Sequence, residues 1–197
     1  MCDRLPPGGS NFTRWLDHPI LPCPCNLSNM VVLIMGVAGS GKTLIGSMLA
    51  QSLNWNFADA DEFHPAANIQ KMSQGVPLTD GDREPWLRAM REAIDGWIKS
   101  GQSAMLACSA LKQRYRDRLT AGPEVKIVYL KGESDLIYSR LSHRQGHYMK
   151  AEMLASQFAD LEEPPDAIVI DIARLPDQIV FEIQQRLGLS DLRTRQF

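Results

Sequence analysis

The chain has 197 residues, 44% of them hydrophobic and 22% charged, which suits one globular domain with a core of its own. Lysine and arginine total 21 against 23 acids, for a net charge of -2 and a pI near 6.1. That balance excludes a whole-molecule basic field, so neither nucleic acid nor an anionic membrane is an expected partner. Four cysteines are too few for a disulfide framework, and no apolar run reaches the roughly 18 residues of a membrane helix. A cytoplasmic setting is expected, with an organelle address left open.

Residues 1–29 read as a flexible extension. The first thirty residues hold five of the twelve prolines, show no hydrophobic period, and sum to zero charge over Asp3, Arg4, Arg14 and Asp17. Cys23 and Cys25 have no second Cys/His pair at zinc spacing. Deleting 1–29 is expected to leave kcat intact and to move the thermal midpoint by less than about 5 °C, on the order of 1 kcal/mol at this size. Scanning calorimetry on both forms checks this.

At Met30 the texture changes. Val31 to Met35 is a wholly apolar run ending at glycine, as expected of a parallel strand buried on both faces. A helix is expected over Lys42 to Leu53, a short strand over Asn56 to Asp59, and helical pieces over Pro65 to Gln74 and Arg83 to Lys99. Strands are expected again at Ser103 to Cys108, Lys126 to Leu130 and Ala167 to Ile170, each followed by a helix-like stretch. The alternation predicts an α/β fold, a parallel sheet with helices on both faces, in a single domain over 30–197.

Gly36-Val37-Ala38-Gly39-Ser40-Gly41-Lys42-Thr43 fits G-x-x-x-x-G-K-[ST] and sits between a strand and a helix. Its glycines let successive N–H groups point at a phosphate, reinforced by the positive end of the following helix. Lys42 adds a charge, and the Thr43 hydroxyl is a hard ligand suited to Mg²⁺. The expected ligand is a nucleoside triphosphate with magnesium. No N-K-x-D segment for guanine follows. Asp59 and Asp61 emerge after the second strand, and alternate residues of an extended segment face one way. One carboxylate is suited to the metal through water, the other to an acceptor hydroxyl.

The loop, Asp59-Ala60-Asp61 with Phe63-His64-Pro65, Asn68, Lys71-Met72, Asp80, Asp82-Arg83 and Pro85-Trp86-Leu87 together resemble the P-loop gluconokinases. So do Cys108-Ser109-Ala110-Leu111-Lys112, Tyr115-Arg116-Asp117, and the stretch from Arg140 through Gly146-His147 to Ser156-Gln157-Phe158 and Pro164. The departures are the N-terminal extension and Tyr148, where the family often has phenylalanine. The resemblance implies a P-loop nucleoside-triphosphate-hydrolase fold like the nucleoside monophosphate and shikimate kinases. It also implies ATP as co-substrate, transfer of the γ-phosphoryl group to the 6-hydroxyl of D-gluconate, and a homodimer.

Gluconate carries a carboxylate and a chain of hydroxyls, so its pocket needs a cation and several polar partners. Arg83, Lys71 and Lys112 are the expected cations. Arg116 is expected to join them as a substrate-binding cation, since Lys112 and Arg116 are four apart on an expected helix and so share a face. His64 is expected to bond a sugar hydroxyl, and Asp61 the attacking one. Arg140 and Arg144, four apart before Gly146, are expected to close as a lid near 140–150 and offset charge on the moving phosphoryl group. Cys108, Trp86 and Trp97 read as core. A shikimate-like acceptor, or a nucleotide-binding module without catalysis, are the alternatives. The intact Asp59 and Asp61 and the arginines of the lid argue against the second.

Overall fold

Val31–Met35 forms β1, and all five of its side chains are wholly buried. Each contributes roughly 1.5–3 kcal/mol relative to exposure. The structure is a computed structural model that describes residues 30–142 and 151–189. The expected extension over 1–29, Arg144 and most of the expected lid lie outside the described residues.

The further strands are β2 (Asn56–Asp59), β3 (Ala104–Ala107), β4 (Val125–Lys131) and β5 (Ile168–Asp171). All pair in parallel, in the order β2-β3-β1-β4-β5. The expected α/β class, a parallel sheet with helices on both faces, is what the chain forms. Alternation along β1 splits the core into two layers. Val32 and Ile34 pack with Ile45 and Leu49 of α1 (Lys42–Leu53) and with Ile179 and Ile183 of α7 (Pro176–Arg186). Val31, Leu33 and Met35 pack with Trp86, Met90 and Ile94 of α3 (Asp80–Lys99) and with Tyr115 and Leu119 of α4 (Gln113–Leu119). Because β1 is central, the loop after it opens at the carboxyl edge where parallel sheets bind ligands.

The remaining helices are α2 (Ala66–Ser73), α5 (Ser134–Ser142) and α6 (Ala151–Asp160). One boundary differs from expectation: α3 starts at Asp80, not near Arg83. The cause is a capping box in which Thr79 Oγ1 accepts from the Asp82 N–H at 3.2 Å and Asp82 Oδ2 accepts from the Thr79 N–H at 2.9 Å. A second difference concerns the two aspartates. Asp59 ends β2, but Asp61 lies in a 3-10 turn over Ala60–Phe63, so strand alternation does not relate them. Asp59 instead caps that turn, its Oδ1 accepting from the Asp61 N–H at 3.1 Å.

Candidate active site

The phosphate loop runs from the end of β1 into α1. Gly39 shows why glycine is needed: its φ is +83°, and an added Cβ would lie 2.8 Å from Leu141 Cγ on α5. Gly41 caps α1 in the left-handed conformation, and the first turn holds no acidic residue, so the positive helix end faces the loop uncompensated. Lys42 Nζ donates to the Val37 carbonyl at 3.1 Å, which curls the ammonium back over the loop.

Thr43 Oγ1 donates to Asp59 Oδ2 at 2.7 Å. One carboxylate thus holds the Thr43 hydroxyl with one oxygen and the backbone of Asp61 with the other. This oxygen set has the hard character a magnesium ion takes. Cys108, buried at the carboxyl end of β3, senses the same cluster. Burial pushes its thiol up to about 12, with smaller influences from Lys42, Asp61 and Asp59. At pH 7 it is an inert thiol of the core.

On the other side of Asp61, the His64 ring stacks on Trp86 at 4.7 Å and 5°. Burial lowers the His64 pKa below its ordinary 6.5, with Asp61 raising and Arg83 lowering it, so the ring is neutral at pH 7 and has one donor and one acceptor nitrogen. Trp86 Nε1 donates to the Ala60 carbonyl at 2.7 Å. The expected core tryptophan therefore also pins the turn that carries Asp61. Arg83 donates to the Leu78 carbonyl at 2.6 Å, and its guanidinium lies 5.9 Å from the centre of the Tyr115 ring. Asp61, His64 and Arg83 form one electrostatic neighbourhood.

Three expected cations are placed otherwise. Lys71 pairs with Asp82 at 2.6 Å and ties α2 to the start of α3, holding the Asp82 carboxyl well below the usual range. Lys112 sits at the N-cap of α4 and pairs with Asp160 at 3.1 Å. The shared helix face is corrected too, since Lys112 precedes the helix that holds Arg116. Arg116 is corrected most fully, for its side chain is 0% exposed. Its Nη1 donates to the carbonyls of Ala110 at 2.9 Å and Leu111 at 2.8 Å, and Nη2 to Gln113 Oε1 at 2.6 Å. Ala110 has a φ of +39°, so Arg116 braces a strained turn instead of facing a pocket.

A cleft of about 470 Å³ opens beside the loop, lined by Gly41, Leu44, Ile45, Arg140, Arg174 and Pro176. Arg140 Nη2 donates to the Ile172 carbonyl at 2.7 Å, which fixes Arg140 in the cleft wall. The sequence reading missed Leu44, Arg174 and Pro176. The available signal was topological: the turn after β5 lies on the same carboxyl edge as the phosphate loop.

A parallel sheet with its phosphate loop after the central strand, and a hydroxyl–carboxylate pair beside it, defines a P-loop nucleotide-binding protein. A family model described as shikimate kinase matches residues 38–187. The thermoresistant gluconokinase of Escherichia coli (strain K12) is 43% identical over 152 residues, covering 75% of this chain and 87% of that protein. A probable gluconokinase of Xenopus tropicalis is 44% identical over 175 residues, covering 79% and 92%. Among solved structures, a gluconokinase from Sinorhizobium meliloti 1021 superposes with a TM-score of 0.73 at 35% identity, covering 86% of this chain and 98% of that one. A shikimate kinase from Aquifex aeolicus vf5, at 16% identity and a TM-score of 0.52, shares the fold alone. The chain belongs to the gluconokinase family, and is an ATP-dependent kinase that phosphorylates a hydroxyl group. Among the described residues, no helix is long and apolar enough to cross a membrane.

Proposed function

We propose that the chain transfers the γ-phosphoryl group of ATP to the 6-hydroxyl of D-gluconate, giving 6-phospho-D-gluconate and ADP. The observation that carries this reading is the chain of contacts from Thr43 through Asp59 to Asp61, with His64 and Arg83 beyond it. It sets a phosphate-side pair against an acceptor-side trio across a short span. The loop N–H groups and Lys42 hold the β- and γ-phosphates. Thr43, and Asp59 through water, are the residues that would hold magnesium, whose chemistry there is to neutralise charge between those phosphates. Asp61 accepts a hydrogen bond from the attacking hydroxyl and takes its proton as the new O–P bond forms. The bond from γ-phosphorus to the bridging oxygen breaks, and its electron pair leaves with ADP.

His64 orients a neighbouring sugar hydroxyl, and Arg83 meets the carboxylate. Arg140, with Arg144 by family resemblance, places positive charge at the nucleotide side. Lys71 and Lys112 act through the elements they brace. The base and ribose fit the cleft walled by Leu44 and Pro176. A homodimer is the reading the family resemblance supports and a cytosolic setting the one the few cysteines support, and light scattering on the purified chain reads the oligomeric state.

An ADP-release assay across gluconate, shikimate, glucose and nucleosides tests the substrate, with turnover expected for gluconate. Glucose presents the same primary hydroxyl but no carboxylate, leaving a cation unpaired, so it should be a poor acceptor. Arg83→Ala is expected to raise the gluconate KM at least about tenfold and the ATP KM less than about twofold. Equal effects on both would remove Arg83 from the acceptor pocket.

A further inference from the structure

Asn68 is a polar side chain only 4% exposed, and the proposed chemistry leaves it without a role. It lies on α2, four residues after His64. Its Nδ2 donates to the Asp82 carbonyl of α3 at 2.7 Å, and because a carbonyl oxygen takes only a donor, this bond fixes which way the carboxamide is turned. The same nitrogen carries a second hydrogen. It lies 3.5 Å from His64 Nδ1, a long contact whose polarity is nonetheless set, since an N–H at Nδ1 would face donor against donor while a lone pair there meets the amide hydrogen.

A neutral imidazole carries one N–H, so with Nδ1 as the acceptor the proton belongs on Nε2. Burial keeps the ring neutral at pH 7, with Arg83 adding to that effect and Asp61 opposing it. The stack on Trp86, 5° from parallel, holds the plane of the ring. Among the described residues, no group bonds Nε2.

We infer that Asn68 is a positioning residue of this kinase, its amide selecting the Nε2–H form of His64 so that His64 meets the acceptor as a hydrogen-bond donor. The oxygen of a sugar hydroxyl then accepts from His64 and keeps its own proton for another partner. His64 cannot take a proton at Nε2 in this form, which leaves proton removal to Asp61. What His64 meets rests on the acceptor side of the proposed function, whereas the form of the ring stands on the protein alone.

The test is two-bond proton–nitrogen NMR of the histidine rings in the full chain, with the His64 signals assigned by their loss in His64→Gln. Wild type should carry the proton on Nε2, and a proton on Nδ1 of the neutral ring would overturn the inference whatever the variants do. Asn68→Asp places an acceptor opposite Nδ1, so it should raise the His64 titration midpoint by about one pH unit or more and move the proton of the neutral ring to Nδ1. Asn68→Leu loses the same bond to the Asp82 carbonyl but offers no acceptor. Gluconate kcat/KM is then followed from about pH 6 to pH 9. In Asn68→Asp the imidazolium still donates from Nε2 and the neutral ring does not, so kcat/KM should fall about fivefold or more above the raised midpoint, a basic limb absent from wild type and from Asn68→Leu. The same limb in both variants, or an unmoved midpoint in a folded Asn68→Asp that still binds ADP, would make Asn68 a structural tie. If Asn68→Asp does not fold, the wild-type spectrum decides. Wild type with its proton on Nε2 but no turnover of gluconate would defeat the acceptor reading and leave the selection of the ring form by Asn68 standing.

Discussion

Replacing Asp61 by asparagine is expected to lower kcat by roughly 10² or more while ATP binding persists. The amide keeps the size of the side chain and loses the proton acceptor and the charge. The turn that presents it should survive, because the Asp61 contact to Asp59 is made by its backbone N–H. Asp59→Asn is expected to behave differently. Its carboxylate bonds the Thr43 hydroxyl at 2.7 Å, so the damage falls on the metal side, and raising magnesium should partly restore kcat. The measurement is kcat for both variants across a magnesium titration, with nucleotide binding followed separately. Near wild-type turnover by Asp61→Asn, or rescue of that variant by magnesium, would reverse the two assignments.

Arg116→Met is expected to cost about 3 kcal/mol of stability. It strips the carbonyls of Ala110 and Leu111 and the Gln113 amide of their partner, in a place water does not reach. Methionine relieves the desolvation of a buried guanidinium, which keeps the loss from being larger. The thermal midpoint should fall by roughly 6–12 °C for a chain of this size. Below that midpoint the gluconate KM should stay within about twofold of wild type, since the side chain faces backbone and no ligand. A stable variant with a strongly raised gluconate KM would return Arg116 to the acceptor pocket. Set beside Arg83→Ala, the pair separates an arginine that holds the fold from one that meets substrate.

Local signals carried the frame of this protein. An unbroken apolar run marks β1 because a strand buried on both faces has no side to leave polar. The glycine spacing from Gly36 to Lys42 marks the phosphate loop because few other residues tolerate its backbone. Asp59 and Asp61 were visible as a pair, although the reason for their spacing was not. It is an N-cap, and its signature is short enough to pass for strand alternation.

The sequence by itself determined the sheet, the loop, the carboxylate pair and the family to which they belong, since each is written in neighbouring residues. Only the tertiary structure decided which cations are available to a ligand. Lys71 is taken by Asp82, Lys112 by Asp160 and Arg116 by backbone carbonyls, while Arg83, whose charge acts on His64, has its carboxylate partner among the described residues within its own helix, Asp80 at 3.9 Å. Charge and periodicity look the same for all four along the chain. What separates them is the partner each meets across the fold, and an ion pair or a buried carbonyl is set by packing between distant elements. The same holds for Gln157 and Ala38, whose contact exists because α6 returns to the phosphate loop after the whole sheet but its last strand has been laid down.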